Sequence, residues 1–128
     1  MKFRTILTAY ALYLLAYGLP SLIIPGPLLA SSYIVLVPGP STDLLTRYWG
    51  AISIGLGLLV WRMRNIEQSD VKQSLAMAMV LIEATNVILT VVGIVSGLGG
   101  VVLWGASAAV HLLFALGAGY FLIISEEK

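Results

Sequence analysis

The sequence predicts an all-α protein: a four-helix transmembrane bundle running up-down-up-down, with both termini cytoplasmic. Three observations predict it. The 128 residues are 59% hydrophobic and 10% charged, where a soluble domain carries about 25% charge. Mean hydropathy is +1.00. Four stretches reach the roughly 20 apolar residues that a helix needs to cross a hydrocarbon core, and the basic residues gather at one end of all four.

The same figures exclude several classes. Seven Lys and Arg against six Asp and Glu leave a net charge of +1. That is too weak a field to hold a phosphate backbone, so no nucleic-acid partner is expected. The chain has no cysteine, hence no disulfide, thiolate metal site or cysteine nucleophile. A single integral membrane domain over residues 1–128 remains, placed in the cell's cytoplasmic membrane with the lipid bilayer as its first partner.

The first span covers residues 5–24. Its basic start resembles a secretory signal, but Tyr10, Tyr13 and Tyr17 interrupt the apolar run, and at the candidate cleavage point near Ala30 Leu28 occupies the minus-three position, where a small residue is wanted. It is therefore read as a retained helix. Pro20 beside Gly18 predicts a kink or fraying near its outer end. Two Pro-Gly-Pro clusters then isolate an apolar insert, residues 28–37, too short to cross and read as an interfacial link.

The second span covers 43–61, with Ser41 or Thr42 as its cap and Asp43 in its first turn. Asp70 and Gln73 resemble a capping box opening the third span, 74–95. The loop 96–100 is short enough to make spans three and four antiparallel neighbours. The fourth span covers 101–124. Lys2, Arg4, Arg62, Arg64, Lys72 and Lys128 all fall on one side of such a threading, and Arg47 falls towards the other. Lys and Arg mark the cytoplasmic side, which sets the predicted orientation. Trp49, Trp61 and Trp104 fall near the interfaces and read as anchors.

The chemistry concentrates at mid-depth. In span three, Ala76, Met79, Glu83, Asn86, Thr90, Gly93 and Gly97 recur at steps of three and four, so they share a face. At about 1.5 Å per residue, Glu83 and His111 both lie roughly 15 Å from their edges, at one level. Small residues Ala108, Ala115 and Gly119 share the His111 face, which turns it towards the bundle. A candidate polar centre follows: Glu83, Asn86 and His111, with Arg47 above and Tyr13 beside. Intramembrane ionisable groups are functional hypotheses by default. The plainer alternatives are an interhelical hydrogen bond for Glu83 and His111, and an i,i+4 pair with Asp43 for Arg47.

No metal site is expected, since one His and one Glu are too few zinc ligands. A single His cannot supply two haem ligands within one copy, though a symmetric dimer could. The sequence leaves the cofactor open. No catalytic residues are assigned, and the absence of a complete catalytic set points away from an enzyme.

The stretch LLTRYWGAISIGLGLLVW, Leu44 to Trp61, and the run HLLFALGAGYF, His111 to Phe121, resemble a family of small uncharacterised bacterial four-helix membrane proteins. The layout is similar to that of the DoxX-like group. The resemblance implies four membrane helices and transfers no site.

Two functions fit these readings. The first is an accessory or assembly subunit, binding other membrane subunits or copies of itself through small-residue faces: Gly50, Ser53 and Gly57 on one helix, Ala108, Ala115 and Gly119 on another. The alternative is a binding protein for a lipid, quinone or pigment, or a proton-linked carrier, centred on Glu83 and His111. A DoxX-like membrane enzyme is a third reading, by analogy of layout alone.

Overall fold

A computed structural model describes residues 3–25, 40–97 and 101–125. The insert 28–37, both Pro-Gly-Pro centres and the middle of the loop 96–100 lie outside the described residues. Four helices are described: α1 (Phe3–Ile23), α2 (Pro40–Met63), α3 (Ser69–Val95) and α4 (Val101–Ser125). All four are long and apolar enough to span a membrane.

The ends differ from the sequence expectation for local reasons. Helix α2 starts at Pro40 rather than Asp43. Proline suits a first helical position because that N–H has no helical partner. Ser41 and Thr42 therefore lie inside the first turn instead of capping it. Helix α3 starts at Ser69, five residues before the expected position, with Gln68 as an N-cap that makes no side-chain bond. Asp70 sits in the first turn, where it meets the helix dipole, and the Ser74 hydroxyl donates to its carbonyl. Helix α1 stays helical through Pro20, and Ile24 donates to the Pro20 carbonyl at 2.8 Å. At the far end of α3, Gly97 leaves the helix at φ +70° and its N–H reaches the Ile94 carbonyl. This left-handed stop is one that glycine adopts without steric cost. Gly97 is thus a terminator and not part of the α3 stripe.

Packing divides the helices into two pairs. Helix α1 packs along α2, and α3 packs along α4. In the first pair Gly18 meets Gly50, and Gly57 meets Ala11 and Leu15. A Cβ on Gly50 would stand 2.7 Å from the Leu22 nitrogen and 2.8 Å from the Gly18 carbonyl oxygen, so the backbones touch where glycine permits it. In the second pair the Trp104 ring lies over Gly93, within 1.8 Å of where a Cβ would be. Trp104 is half-buried there.

The pairs meet through α1 and α4. Phe3 stacks on Phe121 with centroids 4.0 Å apart, and Phe114 touches both Tyr10 and Tyr13. The buried core gathers Phe3, Ile6, Leu7, Tyr10, Ala11 and Leu14 of α1 with Val60, Ala76, Met79 and Ala118. Apart from Leu14, just past the middle of α1, these positions belong to the first half of α1 and α3 and the last half of α2 and α4. The other ends are less filled. Among the described residues, no Cα of α2 comes within 8 Å of a Cα of α3 or α4.

Candidate functional site

Glu83 sits midway along α3 and is 1% exposed. The stripe of small and polar residues on α3 turns it inward, since its opposite face is aliphatic and exposed at Leu81, Ile88 and Val92. A carboxylate buried at this depth requires partners, and it has one for each oxygen. The Tyr10 hydroxyl donates to Oε1 at 2.5 Å. His111 Nδ1 stands 2.5 Å from Oε2. The other ring nitrogen, Nε2, faces the Tyr13 hydroxyl at 3.5 Å, the outer limit of a hydrogen bond. The Tyr13 ring also meets the imidazole edge-on, with centroids 5.8 Å apart.

Four groups therefore form one row: Tyr10, Glu83, His111, Tyr13. It starts and ends on α1 and passes through α3 and α4. With Nδ1–H donating to Glu83, neutral His111 presents Nε2 as an acceptor and Tyr13 donates to it. With both nitrogens protonated, Tyr13 accepts instead. Glu83 and His111 can thus share a proton without a rotation of the helices. Among the described residues no buried side-chain nitrogen or oxygen lacks a partner.

The row forms the floor of a cavity of about 430 Å³ lined by all four helices. Tyr17, Trp49 and Ser53 line it from α1 and α2, and Asn86 and Ser107 from α3 and α4. Ile52, Leu56, Ile82 and Leu89 line it where α2 and α3 stand apart. Drug-sized ligands occupy cavities of about 300–1,000 Å³.

The expected polar centre is placed as follows. Glu83, His111 and Tyr13 are brought together, and Asn86 lines the same cavity one turn along α3. Arg47 is not part of it. It is exposed, and its guanidinium donates to the Leu22 carbonyl at the end of α1. The last carbonyls of a helix have no helical partner, so an arginine there caps α1. Its bond is to α1 and not to Asp43. Tyr10 was missed as a member of the centre, although the Tyr10, Tyr13, Tyr17 spacing is the signal that would have found it.

The small residues of the expected packing faces are largely used inside the chain. Gly50 and Gly57 seat α1, and Ser53 lines the cavity. Gly119 faces Val80 of α3, where a Cβ would be 3.9 Å away. Ala108 and Ala115 are half-buried. Among the described residues, no group of three His, Cys, Asp or Glu is arranged to hold a metal ion. No family model, curated protein or solved structure matches this chain.

Proposed function

We propose that this chain binds a small molecule within the bilayer, in the cavity above Glu83 and His111. The observation that supports it is the cavity itself, lined by all four helices and floored by a buried carboxylate and a partly buried imidazole. The row through Tyr13 gives the site a route for proton exchange with a bound ligand, which a proton-linked carrier requires. The accessory-subunit reading from the sequence has less to rest on, since Gly50 and Gly57 already face α1.

The threading proposed with this function is up-down-up-down in the cytoplasmic membrane, with both termini cytoplasmic. Arg4, Arg62, Arg64 and Lys72 fall at the well-filled end of the bundle under that threading, and Lys and Arg favour the cytoplasmic side. The Arg64 guanidinium lies 3.4 Å over the Trp61 ring, an arrangement suited to an interface. The cavity then opens in the outer half of the bilayer.

The test is native mass spectrometry of the chain released from its own membranes. The proposal predicts one small added mass per chain in the native protein and its loss in Ser107→Trp, which fills the cavity. A bare chain in both cases, or a stable assembly with larger proteins, would overturn it.

A further inference from the structure

We infer that the cavity takes an amphiphile with an uncharged carbonyl or hydroxyl head, held by the Asn86 amide, and an aliphatic tail that leaves the bundle between α2 and α3. This inference rests on the small-molecule reading and adds the class of ligand.

The head follows from which polar groups are free. Glu83 is committed on both oxygens and 1% exposed, so it offers no bare carboxylate to a cationic head. No Lys or Arg lines the cavity, and Arg47 is held at the Leu22 carbonyl, so an anionic head finds no counter-charge. What lines the cavity without a side-chain hydrogen bond among the described residues is neutral: Asn86, Ser53, Ser107 and the Tyr17 hydroxyl. The Asn86 amide carries both donors and an acceptor, which match a carbonyl or a hydroxyl. A hydrogen bond made away from water, at low local dielectric, is electrostatically stronger than the same bond made in water.

The tail follows from the walls. Helices α2 and α3 stand apart, and Ile52, Leu56, Ile82 and Leu89 frame the space between them. An alkyl chain placed there meets aliphatic side chains on both sides and lipid beyond. The ligand therefore enters sideways from the bilayer, head first, without crossing an aqueous phase.

The experiment uses the full chain in phosphatidylcholine nanodiscs with Trp61→Phe and Trp104→Phe, so that Trp49 on the cavity wall reports alone. Three probes of equal chain length are titrated: dodecanol, dodecyltrimethylammonium and dodecanoate. Dodecanol is expected to change Trp49 emission saturably, and Asn86→Leu to weaken its apparent affinity about tenfold. The charged probes are expected to show only the linear response of bulk partitioning. Because the Asn86 amide has no partner among the described residues, that substitution leaves the protein's own hydrogen bonds intact. The same titration by native mass spectrometry on the chain with all three tryptophans keeps the result independent of the Trp substitutions. Preferential saturable binding of the ammonium or the carboxylate overturns the uncharged head and leaves the cavity reading standing. A dodecanol response unaffected by Asn86→Leu overturns the amide contact. No saturable response to any probe overturns the small-molecule reading itself.

Discussion

Glu83 is the residue on which the site turns, and its neighbours show which part of it was legible. The three-and-four stripe on α3 places Glu83 on the inward face, because its alternatives are aliphatic positions suited to lipid. The common depth of Glu83 and His111 also follows from counting residues. Their contact does not follow, since it depends on the rotation of α4, which aromatic packing at Phe114 and Phe121 decides. Arg47 shows the converse. Its destination is an orphan carbonyl at the end of α1, and sequence spacing within α2 carries no trace of that. The row predicts an ordered set of costs. Tyr10→Phe removes one donor to a carboxylate that keeps His111, and should cost about 1–2 kcal/mol. Glu83→Leu leaves Tyr10 and His111 facing an apolar side chain, and should cost about 3–5 kcal/mol. Glu83→Gln, which keeps an acceptor for Tyr10, should fall between them. Reversible unfolding in mixed detergent micelles measures all three, and Tyr10→Phe costing more than Glu83→Leu would contradict the geometry.

At the scale of elements, the two helix pairs are held by different means. Helices α1 and α2 rely on backbone contact at Gly18 and Gly50. Helices α3 and α4 rely on Trp104 seated over Gly93. The pairs are joined by Phe3, Phe114 and Phe121 and by the polar row. The sequence showed the glycine faces but not what they face: apolar membrane helices with glycine stripes can pack within one chain or between chains. Gly50→Ala is expected to push α1 from α2 and destabilise the fold by about 1–3 kcal/mol. Gly55→Ala is the internal control, because nothing lies within 4 Å of its Cβ position. It should be neutral or slightly stabilising, since alanine loses less backbone freedom in a helix. Thermal unfolding of the two variants side by side checks this. Equal effects would mean that α1 and α2 do not pack as described.

For the whole molecule, four membrane-length helices were readable because hydropathy and length alone define them. Helix starts were not, as the five-residue extension of α3 shows: Ser69 to Gln73 is polar apart from Val71, yet stays helical. The cavity was not readable either, because an unfilled volume depends on how the pairs lean together. The absence of cysteine makes the proposed threading directly testable. Ser96→Cys should react with an impermeant maleimide added to intact cells, and Ser69→Cys only after lysis; the reverse pattern would invert the orientation.

The most direct test of the central claim is an experimental density map of the chain extracted from its own membranes without exchange of bound lipids. The account predicts non-protein density above Glu83 and His111, touching Asn86 and running out between α2 and α3. A map in which α2 closes against α3 and side chains fill the volume would contradict it.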